Sequence, residues 1–265
     1  MSLQIVTIPC RSDNYAFLLH DAASGETALV DAPEAGPIIS ALDDLGWTLT
    51  QIIITHSHFD HVEGVEELRA KYGAKVLGSK ADAHRLPPLD VALTEGDIFD
   101  VGNSTGRVLD VSGHCDDHLA FYFADSSAVF TADSLMALGC GRLFEGTPAQ
   151  MWQSLSKIAA LPAETIVYSG HEYTIANAIF AYSIEPNNAA LRTRIQQTIE
   201  ARAKDIPTVP SSLSDELETN PFLRPASAEI RKNLGMNANT DAEVFAEIRR
   251  RKDSFSQTEM PDITK

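Results

Sequence analysis

With 265 residues and a hydrophobic fraction of 44%, the chain is long enough to bury a sizeable core, as one large domain or a main domain with a smaller companion. A formal net charge of −16 repels phosphate backbones, and an aromatic fraction of 7% offers little for stacking bases, so nucleic acid is not expected as a partner. No apolar run approaches the roughly 20 residues that span a bilayer, and no basic start with an apolar stretch marks a signal peptide. Three widely spaced cysteines, Cys10, Cys115 and Cys140, build no disulfide framework. The expectation is a cytoplasmic protein without a membrane partner, and a monomer by default.

In chain order, residues 3–8, 15–20 and 27–30 read as strands separated by turns. Residues 37–45 read as a helix ended by Gly46. The apolar run 52–54 predicts a buried strand. A helix is predicted over 62–72, again followed by a glycine, Gly73. Residues 76–78, 98–101, 108–111, 119–123 and 128–130 are further strands, 149–161 an amphipathic helix, and 165–168 a last strand. After His171 strand signals nearly vanish, and helices are predicted over 176–182, 188–204, 226–234 and 241–251. The division expected is a mixed domain over residues 1–173 and a helical one over 174–265.

The chemistry is concentrated in Thr55-His56-Ser57-His58-Phe59-Asp60-His61, which follows the 52–54 strand and is expected to form a loop. Neutral imidazoles and a carboxylate at this density suit zinc, iron or manganese. Three later segments repeat one grammar, a buried strand followed by a small residue and a metal-type side chain. They are Ser112-Gly113-His114, Thr131-Ala132-Asp133 and Ser169-Gly170-His171. Strands ending at one sheet edge would bring these together. Seven such side chains exceed what a single tetrahedral zinc takes. They fit two ions bridged by Asp133, with His56, His58 and His114 on one and Asp60, His61 and His171 on the other.

This pattern resembles the metallo-β-lactamase superfamily, with its HxHxDH loop and distal His, Asp and His. More narrowly, Cys140-Gly141-Arg142-Leu143-Phe144-Glu145-Gly146-Thr147, Gly170-His171-Glu172-Tyr173-Thr174, Asn220-Pro221-Phe222-Leu223-Arg224 and residues 249–255 resemble the hydroxyacylglutathione hydrolases, the glyoxalase II family. The resemblance implies an α+β fold, a four-layer αβ/βα sandwich with a C-terminal helical domain. It implies hydrolysis of S-D-lactoylglutathione to D-lactate and glutathione, the second step of methylglyoxal detoxification. It also implies that Arg142, Phe144, Tyr173, Arg249 and Lys252 contact the glutathione part. Ser57, Cys115-Asp116-Asp117, Arg142 and Phe144 depart from the commoner family residues, and none of them is a metal ligand.

The chemistry expected is attack on the thioester carbonyl by a hydroxide bridging two divalent ions, zinc first, with Asp60 orienting it. A thiolate leaves without strong protonation because a thiol has a pKa of about 8.5, so no serine or cysteine nucleophile is needed. Glutathione carries two carboxylates, so a chain of net charge −16 must supply local cations. Arg249 and Lys252, three apart on a helix, share a face. The rival reading is a glutathione persulfide dioxygenase with a mononuclear iron, which shares the superfamily fold but leaves the second-site aspartate and histidine unused. His118 is expected to support the site rather than ligate, and Asp31 either braces the metal loop or simply ends a strand. His20 and His84, which have no partner motif, are expected as surface or satisfied histidines, and Cys115 and Cys140 as packed, unreactive thiols.

Overall fold

The computed structural model describes residues 2–257; Met1 and the last eight residues of the predicted helical domain lie outside the described residues. Two six-stranded sheets face each other. The first comprises β1 (Gln4–Cys10), β2 (Asn14–His20), β3 (Thr27–Val30), β4 (Gln51–Ile53), β5 (Lys75–Ser79) and β6 (Val91–Leu93), hydrogen-bonded in that order. Its first three strands are antiparallel and β3 through β6 are parallel. The second holds β7 (Ile98–Val101), β8 (Ser104–Asp110), β9 (Leu119–Phe123), β10 (Ala128–Ala132), β13 (Ile166–Ser169) and β14 (Ser211–Ser212), in the order β14-β13-β10-β9-β8-β7. Between β10 and β13 a hairpin is formed by β11 (Leu135–Met136) and β12 (Gly139–Cys140).

Side-chain alternation along the strands builds the layers. Phe17, Val30 and Ile53 from the first sheet meet Val108, Phe121 and Phe130 from the second in an apolar interior. The intervening residues Leu18, Leu29 and Ile52 face outward against α1 (Ala35–Leu45) and α3 (Val65–Tyr72), through Ile38, Leu42, Val65 and Leu68. On the far side, Ala120, Val129 and Val167 face α4 (Pro148–Ala159), α5 (Thr174–Ile184) and α9 (Asp241–Asp253). The expected four-layer sandwich with helices at its C-terminal end is the observed architecture. Also in that end are α6 (Ala189–Arg202), α7 (Leu213–Thr219) and α8 (Ala228–Leu234). Among the described residues no helix is long and apolar enough to cross a membrane.

Two expectations are corrected. The helix read over 62–72 is broken, with α2 (Phe59–Val62) and α3 separated at Gly64. A Cβ on Gly64 would lie 2.9 Å from the Ala35 backbone nitrogen and 3.0 Å from the Glu34 carbonyl carbon, so the chain must pass this point as glycine and turns there. The C-terminal part is not purely helical either. β14 pairs antiparallel with β13, which ties that part into the second sheet.

A buried carboxylate joins the helical part to the sandwich. Glu216, fully buried in α7, accepts from the backbone N–H of Leu138 at 3.0 Å, from Ser211 at 2.6 Å, from Asn220 at 3.0 Å and from Arg194 of α6. Asn220 in turn donates to the carbonyls of Met136 and Gly139, at 3.1 and 2.9 Å. Arg194→Met leaves this buried charge without its cation and is expected to cost about 3–5 kcal/mol, measured as a shift in the urea unfolding midpoint at unchanged m-value.

Candidate metal centre

All four segments named for metal chemistry end at one rim of the sandwich. β4 leads into Thr55 and His56, β8 into His114, β10 into Asp133 and β13 into His171. Backbone bonds lock the rim across the two sheets: Leu119 N–H donates to the Thr55 carbonyl at 2.9 Å, and Tyr15 N–H to the Gly170 carbonyl at 2.8 Å. The stretch expected as a loop is partly helical. His58 caps α2, which carries Asp60 and His61 on a single turn.

The ligand-type atoms form three groups, within each of which they lie within 4.8 Å of one another: His56, His58 and His114; Asp60, His61 and His171; and Asp31, His56 and His61, where Asp31 is already taken up by hydrogen bonds to Thr55 and His61. In the first, His58 Nδ1 is 3.1 Å from His56 Nε2 and 3.0 Å from His114 Nε2. In the second, Asp60 Oδ2 is 3.4 Å from His171 Nε2 and 3.8 Å from His61 Nε2. Asp133 stands between them. Its Oδ2 is 3.5 Å from His114 and 3.3 Å from His171, and its Oδ1 is 3.7 Å from His61.

Four of the five rings are oriented from behind. His61 Nδ1 donates to Asp31 at 2.8 Å, His171 Nδ1 to Asp13 at 2.9 Å and His114 Nδ1 to the Arg142 carbonyl at 2.7 Å. Thr55 Oγ1 donates to Asp31 at 2.8 Å, so it accepts from His56 Nδ1 at 2.9 Å. A ring proton fixed on Nδ1 leaves a lone pair on Nε2. Four lone pairs therefore converge with two carboxylates, and His58 can donate to at most one of its two neighbours. His61 Nε2 and Asp133 Oδ1 are buried without any hydrogen-bond partner. Such a nest of acceptors fits a divalent cation in each of the first two groups.

Electrostatics set a condition on this. Against burial, the Asp133 carboxylate raises His61, and His171 to about 9, so without a cation these two rings hold a proton that a metal would displace. Burial alone would raise the Asp133 carboxyl, but the charged imidazoles of His171 and His61 hold it well below the usual carboxylate range. Burial, with the neighbouring His61, keeps His56 neutral by pushing it well below its ordinary value. Burial also pushes the Cys115 thiol up, and the Cys140 thiol to about 11, so neither is a nucleophile at neutral pH.

Beside the metal-type side chains lies a cavity of about 560 Å³ walled by Arg142, Phe144, Tyr173, Arg249 and Lys252, all five residues expected on the substrate side. Phe144, 61% exposed, sets its ring 5.3 Å from that of His114, with the Arg142 guanidinium 5.6 Å above it. Tyr173 stacks on His171 at 4.6 Å. Lys252 donates to the Ala176 carbonyl at 3.0 Å, leaving donors to spare. Arg249 is buried and already engaged by Cys140, Gly141 and Asp253.

Of the supporting residues weighed from sequence, Asp31 does brace the loop, accepting from Thr55 N–H and Oγ1 and from His61. Its φ of 57° is strain of a kind that collects at functional sites. His118 is fully buried and stacks on His56 at 4.5 Å without entering any of the three groups. His20 stacks on Trp47 and His84 is exposed. Asp13 and Asn14 were not singled out from sequence. Asn14 donates to Asp60 Oδ2 at 3.0 Å, and the only cue for the pair was polar residues opening a strand at the same rim.

A fold of this kind, with this rim of histidines and aspartates, defines a member of the metallo-beta-lactamase superfamily, whose family model matches residues 13–171. A second model, described as hydroxyacylglutathione hydrolase C-terminus, matches residues 172–255. A curated hydroxyacylglutathione hydrolase of Cereibacter sphaeroides is 62% identical over 255 residues, 96% of this chain and 100% of that protein. Among solved structures, the BLEG-1 B3 metallo-beta-lactamase matches with a TM-score of 0.65 at 22% identity, over 83% of this chain and 100% of that one. TTHA1623 in a di-iron-bound form matches at 0.60 and 26% identity, with the same two coverages. Within the superfamily, the chain belongs to the hydroxyacylglutathione hydrolase family.

Gly170 tests the geometry. A Cβ there would sit 2.6 Å from Asp133 Oδ1 and 3.0 Å from the His61 ring, so Gly170→Ala displaces a side chain common to both groups. Loss of bound metal by elemental analysis is expected, with thermal unfolding of the metal-free protein shifted by no more than a moderate overpacking cost of about 1–3 kcal/mol.

Proposed function

We propose that the protein is a metal-dependent thioester hydrolase that cleaves S-(2-hydroxyacyl)glutathione, lactoylglutathione in the first instance, to glutathione and a 2-hydroxy acid. The observation that carries this reading is the juxtaposition at one rim of seven metal-type side chains and a cation-walled cavity. His56, His58 and His114 would hold one divalent ion and Asp60, His61 and His171 the other, with Asp133 common to both. Zinc is the first choice, and iron or manganese suits the same donors. When bound, such ions supply Lewis acidity to a carbonyl and lower the pKa of water from about 16 towards 7.

The chain's own residues do the rest. Asp60, held by Asn14 through its side chain and its carbonyl at 3.0 and 3.1 Å, orients the attacking water. Asp13, Asp31, Thr55 and the Arg142 carbonyl keep the imidazole lone pairs aimed inward. The departing thiolate needs no strong acid, because its pKa is only about 8.5; buried Cys115 and Cys140 take no part. Phe144 and Tyr173 cover the sides of the cavity, and Arg142, Arg249 and Lys252 place positive charge beside it for the carboxylates of glutathione. In this reading residues 1–173 carry the chemistry and the following segment carries most of the glutathione contacts. The protein then acts as a cytoplasmic monomer on a small soluble thioester.

A glutathione persulfide dioxygenase with one iron is not favoured. The full-length relatives are named hydroxyacylglutathione hydrolase, and Asp60 and His171, idle in that alternative, stand against His61 and Asp133.

Thiol release from lactoylglutathione, followed beside elemental analysis, tests the reading. Activity is expected to vanish on chelation and return with zinc; a metal-replete protein that releases no thiol overturns it. Lys252 supplies a second test. Burial, then the neighbouring Arg249, lowers its pKa to about 8, so the ammonium that attracts substrate is lost as pH rises through that value. kcat/KM is expected to fall above about pH 8 while kcat holds. Lys252→Met should raise KM about tenfold, in keeping with one charge-assisted hydrogen bond, and remove the inflection.

A further inference from the structure

Arg249 does more than lend charge to the cavity. It is 5% exposed, and its donors are directed at protein rather than solvent. Nη1 donates to the Cys140 carbonyl at 3.0 Å and to the Gly141 carbonyl at 3.4 Å. Nε and Nη2 reach the Asp253 carboxylate at 3.2 and 2.8 Å, one turn along α9. The guanidinium carbon also sits 5.2 Å from the Phe222 ring centroid. The fork is therefore held rigidly by its own helix and by the family stretch around Asn220, and it grips two successive carbonyls.

The next carbonyl in that segment is Arg142's, which fixes the His114 ring through Nδ1 at 2.7 Å. The segment has little freedom elsewhere. Gly141 N–H donates to the Ser134 carbonyl at 3.2 Å and Phe144 N–H to the His114 carbonyl at 2.9 Å. A Cβ on Gly141 would lie 2.0 Å from the Asp133 carbonyl oxygen and 2.8 Å from His114 Nδ1. Residues 140–142 thus run between the Asp133 backbone and the His114 ring, and Arg249 fixes their height.

Resting on the metal-centre reading above, we propose that Arg249 is a positioning residue for His114. Through the Cys140 and Gly141 carbonyls it sets the Arg142 carbonyl that orients the ring, and so couples α9 to the His56, His58 and His114 group. Lysine at 249 would keep a positive charge near the cavity, but a single ammonium cannot span two carbonyls and a carboxylate as the planar fork does. Partners standing behind a ligand are commonly worth about 10–100-fold in metal affinity.

The test is zinc affinity, read by competition with a chromophoric chelator, on wild type, Arg249→Lys, Lys252→Met and Asp253→Asn. Arg249→Lys is expected to weaken one of two zinc equivalents by about 10–100-fold and to lower kcat, while Lys252→Met keeps wild-type zinc affinity and changes KM. Asp253→Asn, at a partly exposed position, leaves the carbonyl contacts in place and is expected to weaken zinc in the same direction by a smaller factor. It therefore decides the matter if Arg249→Lys proves too unstable to purify. Wild-type zinc affinity in Arg249→Lys, or in Asp253→Asn should that variant stand alone, overturns the positioning role and leaves the metal centre intact. A wild-type protein that binds no zinc overturns the centre itself, and the positioning role with it.

Discussion

The structure depends on a mismatch of protons at the rim. Asp31, Asp13, Thr55 and the Arg142 carbonyl each take the Nδ1 hydrogen of a histidine. Every imidazole so held turns an acceptor inward, where Asp60 and Asp133 add carboxylate oxygens. A cluster of acceptors with almost no hydrogen to share is costly to bury, about 1–3 kcal/mol for each polar group left unpaired. The fold holds it because the outer partners are rigid: strand ends, a one-turn helix and backbone carbonyls. A cation would relieve the mismatch at these atoms, and its binding would then be linked to local stability.

That constraint reaches into the backbone. Ligand-type atoms converge only if the segments behind them come closer than side chains normally permit. Gly141 and Gly170 therefore press against Asp133, and Gly64 against the turn after β3. Ala132, just before Asp133, takes a φ of 40°, and the register of β10 against β13 shifts between Phe130 and Ala132. The irregularity redirects the chain so that Asp133 faces the space between both histidine groups. Strain is stored one residue before the carboxylate that both groups share.

The strands were legible because they are short buried runs with polar punctuation, while the four-layer sandwich was what the family resemblance implied. Residues 27–30, 98–101 and 119–123 were placed to the residue. β6 escaped because three residues after Pro87-Pro88 carry no period. α7 escaped although Ser212 caps it, accepting from Asp215 N–H at 3.1 Å. The break at Gly64 is tertiary, since only the packing of Ala35 against that glycine shows it. The seven metal-type side chains could be named because four crowd one short stretch and three stand just after strands, where a strand end fixes the direction of projection. Their supports were less visible. Asp13 lies 158 positions from His171 and Asn14 lies 46 from Asp60, and no local pattern reports a partner at that distance.

The helical segment completes the picture through charge. A chain of net charge −16 gains nothing from its bulk field when a ligand is recognised by its carboxylates; what matters is a few cations with the solvent removed around them. Lys252 lies over the rings of Phe180 and Phe255 at 5.1 and 6.0 Å, an apolar seat that weakens its hold on the proton and leaves its charge poorly solvated. A poorly solvated ammonium gains more from an incoming carboxylate than a hydrated one does. The Arg250 and Arg251 charges beside it are answered by Glu247 at 2.7 and 2.8 Å, so they add little to the cavity. One turn of α9 thus separates three uses of positive charge. Lys252 borders the cavity, Arg249 is committed to the 140–142 segment, and the remaining two share the Glu247 carboxylate on the surface.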